Sequence, residues 1–263
     1  MGVLDGQPTI IMNNTDNTMK NRIMELAEKS YSENRYMFTD FLDMSQLSLF
    51  YTVEKEVEYA SPLVWGGAEN CERCMVRFGS PEHFGYDEVF PITLLHCSPV
   101  QKKFSDTLTH RDFLGSVIGL GIERAKIGDI VVRDNEGYIF VAGSISEYII
   151  ENLGKVKHTT VRVDICDEIP EAIAPVFKEK SVVVSSNRLD AIIARVYKLS
   201  REQAVRYILE GKVFVSGRQM TENSKQLKPG NTVSVRGKGK FIFVGEGNVT
   251  RKDKLYINIK LYV

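Results

Sequence analysis

The sequence predicts an α+β chain in three parts, and three observations lead there. Before residue 60, apolar residues recur at helical spacing. From about 71 to 170, short β-rich runs alternate with two helical stretches. Beyond 181 the charge balance reverses: residues 181–263 hold 16 Lys+Arg and 6 Asp+Glu, whereas 1–180 hold 18 and 28. The overall net charge of zero therefore hides a basic end and an acidic remainder, and a basic end suits a polyanion. The expected division is a small helical N-terminal unit at 1–70, an α+β middle domain at 71–170 and a basic C-terminal domain with its strands at 181–263.

Residues 1–15 read as a disordered start. They lack the basic n-region and apolar h-region of a secretory signal. Gly2 is followed by Gly6, where myristoylation wants Ser or Thr. No apolar run is long enough to cross a bilayer, so a cytoplasmic protein without a membrane partner is expected. Met19, Ile23, Leu26, Ala27 and Tyr31 predict a helix over 16–34. Phe41, Leu42, Leu47, Leu49, Phe50 and Val53 predict a second over 39–58, with Pro62 and Gly66-Gly67 closing the region.

In the middle part, strands are expected at 74–78, 92–97, 129–133, 138–141 and 159–165, with a helix over 106–121. Asp134-Asn135-Glu136-Gly137 has hairpin chemistry. Ser144, with Glu147 three residues on, predicts a capped helix ending near Leu153. The order β-β-α-β-β-α-β makes a compact α+β domain, with a ferredoxin-like arrangement as one option. Cys71-Glu72-Arg73-Cys74 is a CxxC without a second one, so two small side chains at the start of a strand are expected rather than a metal or redox site. Neither metal nor cofactor is expected.

Pro170 and Pro175 lie in a connecting stretch, and the basic domain begins at Val182. Ser186 or Asn187 is placed to cap a first helix, and Ser200 a second, with Gln203 closing a capping box. Gly211 sits where a glycine would stop that second helix. Val213 and Val215 share one side of a strand, Ser216-Gly217 makes a turn, and Lys228-Pro229-Gly230-Asn231 makes another. Two short helices joined at an angle would bring Arg188, Arg201 and Arg206 onto one surface, with Lys212 and Arg218 flanking the strand that follows. Such a surface grips phosphate oxygens.

Arg188-Leu189-Asp190, Ser200-Arg201, Ala204, Gly211, Val213, Val215 and Gly217 together resemble the S4 RNA-binding domain, with Ser216 where that family usually has Asn. His110-Arg111-Asp112-Phe113-Leu114-Gly115, Gly119-Leu120-Gly121-Ile122 and Ile127-Gly128-Asp129-Ile130 are similar to the YlmH-type S4 proteins of bacteria. The resemblance implies an S4 (αL-like) domain on a non-enzymatic RNA-binding factor. Its implied partners are ribosomal RNA of the large subunit, tRNA and the ribosome. The implied role is ribosome-associated quality control of stalled peptidyl-tRNA, with a link to cell division also attached to the family. The residues expected to meet RNA are Arg188, Ser200, Arg201, Gln203, Arg206, Lys212, Arg218 and Lys225, with Arg111 from the middle domain and Lys102-Lys103 as a weak continuation.

Catalytic readings are thin. Arg188-Leu189-Asp190 also resembles a pseudouridine synthase stretch, but the S4 helix already accounts for it, and Asp190 is expected to orient a neighbouring arginine or to support the helix start. His110-Arg111-Asp112 lacks the asparagine a kinase loop needs, since position 117 is Val. Gly119-Leu120-Gly121 lacks a third glycine. No catalytic residue is expected. An RNA-modifying enzyme and an adaptor whose acidic N-terminal part holds a protein partner remain the alternatives.

Overall fold

The computed structural model describes residues 14–263; the expected disordered start and absence of a leader fall mostly or wholly outside them. The chain opens with α1 (Asn14–Glu33), β1 (Met37–Phe38) and α2 (Met44–Val53), followed by a 3₁₀ stretch at Glu54–Ala60. The helix expected over 39–58 is thus shorter and starts later. The chain before it is extended, with Thr39 N–H donating to Val76 O (2.9 Å) and Leu42 N–H to Cys74 O (2.8 Å). Asp43 then sets the helix start, accepting from Ser45 N–H (2.7 Å) and Gln46 N–H (3.0 Å), while Gln46 Oε1 accepts from Asp43 N–H (2.9 Å).

Two strands complete this part, β2 (Leu63–Trp65) and β3 (Met75–Phe78), in an antiparallel sheet of order β1-β3-β2. The N-terminal part is therefore not purely helical. The strand expected at 74–78 forms, but it belongs to this sheet rather than to the middle one. All four residues of β3 are buried: Val76 and Phe78 pack with α1 and α2, while Met75 packs with Phe41, Leu94 and Phe140.

After a short α3 (Pro81–Phe84), the middle part runs β4 (Ile92–Pro99), α4 (His110–Gly119), β5 (Ile127–Arg133), β6 (Glu136–Ala142), α5 (Ser146–Asn152), β7 (Lys155–Val156) and β8 (Thr159–Ile165). The sheet order is β5-β6-β4-β8-β7, with every neighbouring pair antiparallel. Without the two-residue β7, this is the β-α-β-β-α-β arrangement of a ferredoxin-like fold. Phe113 and Val117 of α4 and Ile149 of α5 pack on one face, against Leu95, Cys97, Ile139, Val141, Val161 and Val163. Gly137 is required there, because a Cβ would sit 2.6 Å from the Phe113 ring. Asp134 (φ 49°) and Asn135 (φ 66°) form the two-residue turn between Arg133 and Glu136. The expected Ser144 cap does not form. A 3₁₀ turn at Gly143–Ile145 precedes α5, and Ser146 Oγ donates to Gly143 O (2.8 Å).

The C-terminal part comprises β9 (Phe177–Val184), α6 (Leu189–Val196), α7 (Arg201–Leu209), β10 (Val213–Val215), β11 (Arg218–Gln219), β12 (Thr232–Val235), β13 (Gly239–Val249) and β14 (Leu255–Tyr262). Its six strands lie in the order β11-β10-β12-β13-β14-β9, all antiparallel. β9 starts ahead of the expected boundary at 181, because it pairs with β14 from Phe177↔Tyr262 to Val184↔Leu255. Within α6 every residue but Arg195 is buried. Leu189, Ile192 and Ile193 meet Ala204 and Ile208 of α7 and Val213, Val233, Phe241, Phe243, Ile257 and Ile259 of the sheet. Asn187 does not cap α6; it brackets Leu227, donating to its carbonyl (3.0 Å) and accepting from its N–H (3.1 Å). Among the described residues, no helix is long and apolar enough to cross a membrane.

Candidate nucleic-acid interface

The centre of the basic part is a carboxylate. Asp190 stands in the first turn of α6 and is 2% exposed. It accepts from Arg188 Nε and Nη2 (both 3.2 Å), from Arg201 Nη2 (2.7 Å) and from the Ala191 backbone N–H (2.8 Å). Burial alone would raise its pKa. The hydrogen bonds and charges of Arg188 and Arg201 outweigh that and hold it below the usual carboxylate range. The arginine side chains remain 39% and 48% exposed, so each guanidinium is fixed from behind and still faces solvent.

The start of α7 fixes Arg201 from the other side. Ser200 Oγ accepts from Gln203 N–H (3.1 Å) and Gln203 Oε1 accepts from Ser200 N–H (2.9 Å). The side chains of Ser200 and Gln203 therefore serve this helix start. Lys225 lies beside the start of α6, where its carbonyl accepts from Leu189 N–H (2.9 Å).

Next to Arg201 a groove of about 540 Å³ runs between β9 and the two helices. Val183, Ala191, Ala194 and Leu199 form its apolar part, and Arg195, Lys198, Arg201 and Lys254 its charge; among the described residues no carboxylate lines it. Lys198 sits at the turn between the helices in a left-handed conformation (φ 54°), with Leu199 N–H donating to Ala194 O (2.8 Å). Arg195, Lys198 and Lys254 were not among the expected contacts. Arg195 was legible as the one positive charge in an apolar helix, and Lys254 as part of the basic run Arg251-Lys252-Asp253-Lys254. Their convergence depends on β14 pairing with β9.

The remaining expected residues divide. Arg206 is exposed on α7. Lys212 pairs with Glu210 (2.7 Å) and stands 5.6 Å from the Tyr207 ring, with Lys238 at 5.8 Å from the same ring. Arg218 is not part of the groove. The turn at Ser216 (φ 48°) and Gly217 (φ 79°) carries it to α2, where it donates to Tyr51 O (2.8 Å) and Glu54 Oε2 (2.7 Å) and lies 4.7 Å from the Tyr51 ring. Arg236 and Lys240 face the same way, donating to Ser45 Oγ (3.0 Å) and Asn70 O (2.8 Å).

Arg111 is exposed in the first turn of α4, in the middle part. Its neighbour Asp112 accepts from Thr109 N–H (2.8 Å) and pairs with Lys157 (3.0 Å), so Asp112 is a helix-start residue. Burial pushes the Cys71 and Cys74 thiols up to about 12. Glu136 holds Lys102 and contacts His96 Nε2 (2.6 Å).

Residues 86–168 match the family described as "Putative RNA-binding domain in YlmH", and residues 187–233 match the S4 domain. The chain carries a YlmH-type domain followed by an S4 domain. The S4 match spans the Asp190 cluster, both helices, β10, β11 and the first half of β12, and the YlmH match spans the whole middle sheet. Over 224 residues the chain is 26% identical to "Ribosome-associated protein quality control protein P2" of Bacillus subtilis, covering 84% of this chain and 85% of that one. The solved structure "Cell division protein ylmH from Streptococcus pneumoniae" aligns with a TM-score of 0.45 at 22% identity, over 63% of this chain and 96% of that one.

Proposed function

We propose that this YlmH-type chain is a non-enzymatic RNA-binding factor of the large ribosomal subunit, acting in the cytoplasm in quality control of stalled peptidyl-tRNA. Its S4 groove docks on folded ribosomal RNA or tRNA. The single observation that carries the RNA contact is the groove itself. Arg195, Lys198 and Lys254 converge beside Arg201, and Asp190 holds Arg201 and Arg188 in place from behind. Fixed guanidiniums and point-charge lysines on a curved wall suit phosphates set by RNA shape, with weak sequence preference. The ribosome-associated quality-control relative in B. subtilis supports the ribosomal setting and the quality-control role.

Pelleting with large ribosomal subunits over a range of salt concentrations tests the reading. Arg195→Ala with Lys198→Ala should weaken pelleting and flatten its salt dependence by about one log–log unit for each phosphate no longer neutralised. Neither residue bonds Asp190, so thermal stability should hold. Unchanged pelleting by a folded double variant would remove the groove from the interface.

A further inference from the structure

The turn that follows β4 carries an exposed aromatic ring that the groove does not explain. Phe104 is 78% exposed, although it belongs to a hydrogen-bonded 3₁₀ turn and not to a slack loop. Phe104 N–H donates to Gln101 O (3.2 Å) and Ser105 Oγ to Lys102 O (2.8 Å). Asn135, from the β5–β6 turn, donates to Ser105 Oγ (2.8 Å) and Asp106 O (2.7 Å) and accepts from Leu108 N–H (2.6 Å). Val100 N–H donates to Thr160 O (3.0 Å), and Lys102 is tied to Glu136. The backbone is thus secured from behind while the ring is left in water, with Lys103 Nζ 5.9 Å from its centroid.

We propose that this turn is a stacking platform for an unpaired RNA base, with the Phe104 face against the base and Lys103 against the adjoining phosphate. The proposal rests on the RNA-binding reading above. Charge alone would not bring RNA here. Lys102 is neutralised by Glu136, Lys157 by Asp112, and Asp134 lies close to Lys102. What the turn offers is a rigid π-face beside one cation, and a base offers a matching face whatever its sequence. The contact therefore differs in kind from the S4 groove: it should depend little on salt, because few counterions are released.

The test uses the full chain and two labelled probes, a blunt RNA hairpin and the same hairpin with a short single-stranded oligoadenylate tail. The wild-type chain should bind the tailed probe more tightly. Phe104→Ala should remove that gain, a loss of about tenfold, and leave the blunt hairpin unaffected. Phe104→Trp should keep the gain, and the tail should quench the new tryptophan beyond the background of Trp65, the sequence's one tryptophan. The gain should stay nearly flat as salt rises. Equal affinity of the wild-type chain for both probes, or a tail-dependent gain that survives Phe104→Ala, overturns the platform. Failure of the groove reading shows separately, as blunt-hairpin binding indifferent to Arg195→Ala with Lys198→Ala.

Discussion

At the scale of single residues, Asp190 separates two roles that one arginine can combine. Arg188 and Arg201 both face solvent and both compensate a buried carboxylate, so an alanine at either site should change folding as well as the proposed RNA contact. The two sides of the cluster differ in cost. Removing both arginines strands Asp190 in an apolar helix, which should cost on the order of 3 kcal/mol. Asp190→Ala leaves two guanidiniums that reach water, and should cost about 1 kcal/mol. Urea unfolding of the two variants checks the order, and the reverse order would refute the account. The pH dependence follows from the same cluster. Asp190 is held below its unfolded value of about 3.9, so between the two values the unfolded chain binds more protons and stability rises with pH. The stability lost in Asp190→Asn should be full at neutral pH and should shrink as pH falls through the folded-state value, read as the difference in Tm. The residue types of this cluster were legible from Arg188-Leu189-Asp190 and Ser200-Arg201, including the expectation that Asp190 orients an arginine. The joint hold on Arg201 was not, because it depends on how α7 folds back against α6.

At the scale of elements, local chemistry was legible wherever it closes on itself. The Ser200–Gln203 box, the Asp134-Asn135 turn and the alternating burial of β8 each involve neighbours in sequence. The errors lie where a distant partner decides. Thr39 and Leu42 fit a helical pattern, yet they pair with Val76 and Cys74. β3 is buried on both faces, so it shows no period from which its sheet can be inferred. Asn187 had the right type and position for a cap, but Leu227 engages both ends of its amide. The cap that does form carries a prediction. Ser200→Ala removes the acceptor for Gln203 N–H and should cost about 1 kcal/mol of stability. It should also loosen Arg201, so RNA affinity should fall although Ser200 need not touch RNA. Ser200→Asp keeps the cap and should restore stability. If Ser200→Asp regains stability but RNA affinity stays low, direct contact or charge repulsion at that site is the cause instead.

At the scale of the whole molecule, the opposed charges of the two regions meet within the chain itself. Arg218 reaches Glu54, Arg236 reaches Ser45 with Asp43 at 3.8 Å, Lys240 reaches Asn70, and Ser234 Oγ donates to Glu72 (3.4 Å). Part of the basic surplus therefore seats the S4 sheet on α2, through arginine side chains that remain half-exposed. This division places Arg218 outside the groove although it fitted the sequence pattern. The ion pairs of this seam are partly exposed, each worth at most about 1 kcal/mol. Arg218→Ala with Arg236→Ala should consequently leave the groove's affinity for a blunt RNA hairpin nearly unchanged, since neither side chain lines it. The same variant should loosen α2 from β11, seen as faster hydrogen exchange in Met44–Val53 and around Gln219, whose N–H donates to Ser48 Oγ (2.9 Å). Raising the salt concentration should reproduce part of that exchange in the wild-type chain by screening the seam. If hairpin affinity instead drops with the double variant while α2 stays protected, Arg218 and Arg236 contact RNA directly, and the seam opens when RNA binds.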